Sequence, residues 1–189
     1  MTTLCYRLGI SALLLFSLLL FSCAKTVFIQ PHIMYQATLS FIDDEAGVYI
    51  SPVDLAKVYQ KSTLWGGDIR IPIGSPLRDT AQQSFLPFFK RLHLVGSNSP
   101  EAAPYVVEIG LSEFEVTFGL DTRINITCSV SKGGESIFTG SFEGRGSGIQ
   151  AAGLLGESSG QEEIRKSAEK AFQDAFQKAQ VAFDESLKI

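Results

Sequence analysis

The sequence predicts an α+β domain of two layers, a largely antiparallel sheet with two long helices packed on one face. Three observations predict it. Between Tyr105 and Phe142, apolar and polar residues alternate in three successive runs, the period of half-buried strands. Ahead of them Leu77, Ala81, Phe85, Phe88 and Leu92 recur at spacings of four, four, three and four, one face of a helix. Behind them Ile164, Ala168, Ala171, Phe172, Ala175, Phe176, Ala179 and Phe183 form a second such face. A sheet with one apolar face must bury it, and two amphipathic helices supply the cover.

The chain opens on a different pattern. Arg7 and the terminal amine are followed by the apolar run Leu8 to Phe21, which ends in Leu20-Phe21-Ser22-Cys23. Charged start, short apolar run and small residue before a break are the parts of a secretory signal peptide. Fourteen residues, Leu8 to Phe21, fall short of the roughly 20 that a spanning helix needs. Residues 1–22 are therefore expected to be a signal peptide, 23–37 a tether interrupted by Pro31, and 38–189 one domain. Fully extended, a tether of about 13 residues would reach roughly 40 Å.

Within the domain, Val48 to Ser51 reads as a short strand and Ser51-Pro52-Val53-Asp54 as a helix start. Serine caps, proline suits the first turn and aspartate meets the positive end of the dipole. Leu55, Val58 and Tyr59 would give that helix its apolar side. Trp65 to Asp68 reads as a turn before a strand Ile69 to Ile73, which Pro72 marks as an edge. The next helix starts at Ser75-Pro76, and Pro87 should kink or split it near Ser84.

In the meander, Val107, Ile109 and Leu111 alternate in one phase and Phe114, Val116 and Phe118 in the other, so a bulge near Ser112–Glu113 is expected. Ile124, Ile126, Cys128 and Val130 should face inward from the second strand. Gly133-Gly134 is a hairpin turn, and Phe138 and Phe142 should be buried across Gly140. Gly144 to Gly160 reads as a loop, closed by a Ser159-to-Glu162 capping box that opens the last helix.

Composition excludes several functions. Removing residues 1–22 loses only Arg7 among charged side chains, so the remaining 167 residues (189 less 22) carry 15 cationic and 20 acidic groups, net −5. An acidic chain without a basic run suits neither nucleic acid nor electrostatic binding to anionic lipid. Cys5 leaves with the signal, and Cys23 and Cys128 remain. His32 and His93 are the two histidines, and nothing stands at metal-ligand spacing, so no metal and no cofactor are expected.

Candidate chemistry is thin. Gly144-Arg145-Gly146-Ser147-Gly148 lacks the helix that a phosphate loop needs immediately behind it. Cys128 with His93 would make a nucleophile and base, but the cysteine falls on the apolar side of its strand. Asn125-Ile126-Thr127, a glycosylation sequon, lies mid-strand, and Glu113 and Glu115 read as solvated charges. No catalytic residue is assigned. Ile149, Leu154 and Leu155, with Ala151 and Ala152, make an apolar patch inside the glycine-rich loop. That patch is either tucked under the sheet or a partner-binding tip.

Leu20-Phe21-Ser22-Cys23 resembles the lipobox of bacterial lipoproteins, although Phe21 is larger than the residue usual there. The resemblance implies lipidation of Cys23 and cleavage before it. Ala24, in place of an aspartate, implies the outer membrane rather than the inner one, on the periplasmic face. From about residue 47 to 185 the chain resembles the small YajG-type outer-membrane lipoproteins. The likeness lies in the helix after Ser75 leading to Leu94-Val95-Gly96, in Val106-Val107-Glu108-Ile109, in the Gly133-Gly134 turn and in the closing helix. It implies a non-enzymatic accessory or scaffold subunit, held to the membrane through Cys23 and binding another envelope protein. Alternatives are a translocon subunit similar to LptE and an activator of a peptidoglycan synthase similar to LpoB; an enzyme is the outsider.

Overall fold

The computed structural model describes residues 24–33, 40–62, 68–117, 119–148 and 157–188, with side chains from 160 onward in the last segment. The chain is α+β, as expected, but its helices and strand directions differ from the expectation. Two sheets are present among the described residues. The smaller is ordered β1-β4-β3, from β1 (Lys25–Thr26), β3 (Val58–Ser62) and β4 (Asp68–Pro72). The larger is ordered β5-β2-β6-β7-β8, from β2 (Ile42–Ile50), β5 (Phe89–Leu94), β6 (Tyr105–Val116), β7 (Thr122–Lys132) and β8 (Glu135–Gly146).

The sheets are mixed rather than largely antiparallel. β2 runs parallel to both β5 and β6, and β1 is parallel to β4. β3–β4, β6–β7 and β7–β8 are antiparallel. Hairpins can only make antiparallel pairs, so parallel pairing requires a crossover. Here α2 (Gly74–Phe85), with β3 and β4 ahead of it, forms the crossover between β2 and β5.

The meander follows its sequence pattern closely. The register of β6 on β7 shifts between Leu111 and Glu113, the bulge that the change of phase requires. Ile124, Ile126, Cys128 and Val130 are fully buried. Gly133 and Gly134 turn with φ of 56° and 91°, both in the region that suits a two-residue hairpin. Phe138 and Phe142 stack at 6.1 Å and are half-buried.

The helices depart from the two long ones expected. α2 has 12 residues and ends at Phe85, where a 3-10 turn, Leu86–Phe88, takes over. Pro87 has no N–H to continue the ladder and its ring crowds the preceding turn. The chain then straightens, so Leu92 lies on β5 instead of the helix. Leu77, Ala81, Phe85 and Phe88 are buried as their spacing predicts. The helix after Ser51, α1 (Pro52–Leu55), is a single turn, and Val58 and Tyr59 belong to β3. Ser51 caps it by accepting the N–H of Asp54 at 3.1 Å.

α3 (Glu157–Ser186) runs 30 residues and begins two residues before the expected capping box. It lies across β8 and β7 and packs on α2. Its apolar face is buried from Ile164 to Phe183. Gly144 and Gly146 belong to β8 rather than to a loop, and they let α3 close on the strand. A Cβ at Gly144 would stand 2.0 Å from Ala171 O, and one at Gly146 1.8 Å from Ser167 O. Phe183 gathers the rings of Phe85, Phe88, Phe89 and Phe138 at centroid distances from 4.9 to 6.2 Å.

The expected tether is the largest correction. Residues 24–33 lie on the fold: Lys25 and Thr26 pair with Ile69 and Arg70, and Val27 donates its N–H to Arg70 O. Val27, Ile29, Pro31 and Ile33 are buried, while Phe28, Gln30 and His32 are exposed. Pro31 is accommodated because this extended segment needs no continuous ladder. Pro72 likewise sits on a strand with neighbours on both sides, but its nitrogen faces the β1 side, beyond the two-residue pairing.

Candidate functional site

Cys128 and His93 are not brought together. Cys128 is fully buried on β7, opposite Ile109 and Gly140. Burial pushes its thiol pKa well up, which removes the thiolate that a nucleophile needs. His93 is exposed on β5, with β2 and β6 between the two residues. Three inter-strand steps amount to about 14 Å, beyond any proton transfer.

Glu113 and Glu115 are exposed, and Glu113 joins a ladder of charge across the outer face of the meander. Arg123 on β7 lies 3.9 Å from Glu113 on β6 and 2.7 Å from Glu143 on β8, which also meets Arg145. Arg145 first, then Arg123, hold the Glu143 carboxyl below its ordinary range. Glu143 first raises the Arg123 guanidinium above its own. Sequence spacing within any one strand does not reveal this ladder, because it depends on cross-strand register. The pattern is that of paired surface charges.

Gly144 to Gly148 forms no phosphate cradle. Gly146 faces α3, and Gly148 donates its N–H to Asp121 Oδ1 at 3.0 Å. Ile149, Leu154 and Leu155 lie outside the described residues, as do Cys23 and the turn at Trp65. No cluster that could hold a metal occurs among the described residues. No described helix is long and apolar enough to cross a membrane.

What the structure does build is a fixed entry for the chain that follows Cys23. Lys25 is already in β1, so Cys23 is separated from a paired strand by Ala24 alone. Beyond β1, Gln30 N–H donates to Glu169 Oε1 at 3.1 Å and Ile33 N–H to Gln83 Oε1 at 3.4 Å. Gln173 Nε2 donates to His32 O at 2.5 Å. The segment is thereby strapped over both α2 and α3. Sequence reading missed this strap, although the period-two apolar series Val27, Ile29, Ile33 was present to signal it.

The small sheet is clamped in turn to the free edge of β6. β2 pairs with β6 only as far as Ile109. Past that point, Lys57 Nζ donates to Leu111 O at 3.1 Å, and Leu111 N–H points to Asp54 Oδ2 at 3.5 Å. Tyr59 bonds both backbone groups of Val116, and Lys61 Nζ also donates to Val116 O. Chain entry, small sheet and meander therefore form one continuous body.

No family model matches the chain, and neither does any curated protein. Among solved structures, a Xanthomonas campestris protein of the DUF330 family is similar with a TM-score of 0.62 at 8% identity, over 87% of this chain and 97% of that one. A hypothetical protein from Chlamydia trachomatis is similar at a TM-score of 0.43 and 10% identity, over 75% and 98%. PelC from Paraburkholderia phytofirmans, solved as a dodecamer, reaches 0.37 at 14% identity, over 74% and 95%. At such identities the likeness to the DUF330 protein is one of fold alone, and the fold is what this chain shares with it.

Proposed function

We propose that this chain is an outer-membrane lipoprotein facing the periplasm, anchored through Cys23, that acts as an accessory or scaffold subunit without chemistry of its own. One observation carries the proposal. The apolar run ends at Cys23, and the fold begins two residues later at Lys25. A lipidated Cys23 would hold β1 within about 7 Å of the anchor, at roughly 3.5 Å per residue. The leash is then too short for the domain to search the periplasm, and its partner is an envelope protein set in or on the same membrane. The buried thiol and its separation from His93 support the non-enzymatic part of the reading.

Mass spectrometry of the protein from envelopes tests the anchor. The expected mass is that of residues 23–189 plus acyl chains, and Cys23→Ala should leave a precursor or an unacylated periplasmic form. Unmodified mature protein from wild-type cells sinks the reading. Crosslinking in envelopes followed by co-purification should recover a protein of the same membrane. Recovery of an inner-membrane synthase instead would overturn the short-leash argument.

A further inference from the structure

We propose that the outward face of the small sheet rests on the bilayer surface, with Phe28, Val53, Leu55 and Val58 seated at the headgroup boundary. This rests on the lipid-anchored reading and deepens it by assigning which face meets lipid. The four side chains are 67%, 76%, 43% and 53% exposed, among the large apolar residues that the described part of the chain leaves open to solvent. Strand alternation turns Val58, Arg70 and Pro72 to the outward side of the small sheet. On β4 the inward residues Ile69 and Ile71 are buried, while Arg70 is exposed and Pro72 half-buried. Val58 pairs with Pro72 on one side. On the other side β1 pairs as far as Thr26 with Arg70, and Val27 donates its N–H to Arg70 O, which brings the chain at exposed Phe28 in alongside the same strand. α1 carries Val53 and Leu55 and leads directly into β3.

Where the undescribed N-terminal chain ends decides the occupant. Residues 1–23 lead into Ala24 and β1, an edge of this same sheet. Cys23 precedes Phe28 by five residues, at most about 17 Å of extended chain. An acyl anchor at Cys23 thus delivers this face to the membrane. Apolar side chains at the boundary would add to the acyl attachment.

The test uses acylated protein purified from membranes and reconstituted in vesicles of phosphatidylethanolamine and phosphatidylglycerol. Nitroxide labels are placed through Phe28→Cys, Val53→Cys or Val58→Cys, with Ile137→Cys on β8 as the comparison; Cys128 is too buried to label. Collision with dissolved oxygen relative to a water-soluble nickel chelate should be several-fold higher at 28, 53 and 58 than at 137. Equal ratios at all four sites in protein whose acyl mass is confirmed overturn this proposal and leave the anchor standing. Sites 28, 53 and 58 shielded from both agents overturn it in favour of a protein covering the face, a second copy included. Absence of the acyl mass defeats the anchor itself, and the proposal with it.

Discussion

Tyr59 closes the edge of β6 at Val116. Its hydroxyl accepts the Val116 N–H at 3.2 Å and donates to the Val116 carbonyl at 3.4 Å. Five residues earlier, Asp54 and Lys57 treat the two backbone groups of Leu111 in the same manner. In an unbroken strand, residues five apart point their backbone groups to opposite edges. The bulge between Leu111 and Glu113 restores the parity, so both residues offer their groups to the small sheet. Side chains thus stand where a further strand would otherwise pair, and the edge is capped.

Removing the Tyr59 hydroxyl should therefore cost more than an exposed tyrosine would suggest. Tyr59→Phe keeps the ring on Phe114, now 5.1 Å away, but leaves the Val116 N–H unpaired. Urea unfolding should show a loss of about 1–3 kcal/mol, and hydrogen exchange at the Val116 amide should quicken. An unchanged midpoint would show that the clamp contributes nothing.

Close approach of α3 to β8 gives a second prediction. Gly146→Ala would drive a methyl into the backbone of Ser167, whose hydroxyl bonds Gly146 O at 2.7 Å and Thr122 Oγ1 at 3.0 Å. Destabilisation on the order of 1–3 kcal/mol is expected. Gly96→Ala, with nothing within 4 Å, should stay within about 0.5 kcal/mol of the parent. Thermal melts of the two variants side by side give the comparison.

Cys128 should behave as core. A thiol reagent should leave it untouched in the folded protein and modify it after denaturation. Cys128→Ala should lose on the order of 1–2 kcal/mol, the effect of trimming a small buried side chain. Fast labelling of the native domain would contradict its complete burial.

Acid should loosen the C-terminal end of α3. Lys188, and then the N–H of Ser40 at 2.7 Å, hold the Asp184 carboxyl below its ordinary pKa of 3.8. A lowered folded pKa contributes stability that is present above the unfolded value and is lost as pH falls through the folded one. Asp184→Asn should accordingly be less stable than the parent near neutral pH. The gap should narrow below about pH 4, where the parent carboxylate takes up its proton. A gap that stays constant down to pH 2 would mean that the charge of Asp184 plays no part.

Much of the meander and of α3 is legible in the chain because each depends on neighbours in sequence. The buried series on β7, the bulge before Glu113, the Gly133-Gly134 turn and the face from Ile164 to Phe183 all follow from local periods. Gly144 and Gly146 show the limit of such reading. Glycine marks both a pliant loop and a place where another backbone comes within touching distance, and nothing local separates the two. Pro31 is similar: it excludes a helix or central strand, but not a buried extended strap.

By itself, the sequence determined the α+β class, the hairpin order from β6 to β8, the break of α2 at Pro87 and the inward place of Cys128. Local backbone preference and side-chain period suffice for each of these. Tertiary structure alone decided that β2 lies parallel between β5 and β6, that residues 24–33 are strapped onto the helices, and that Tyr59 caps Val116. Those outcomes join residues far apart in the chain. Their free energy comes from the apolar area and backbone hydrogen bonds of the whole assembly, which no single segment encodes.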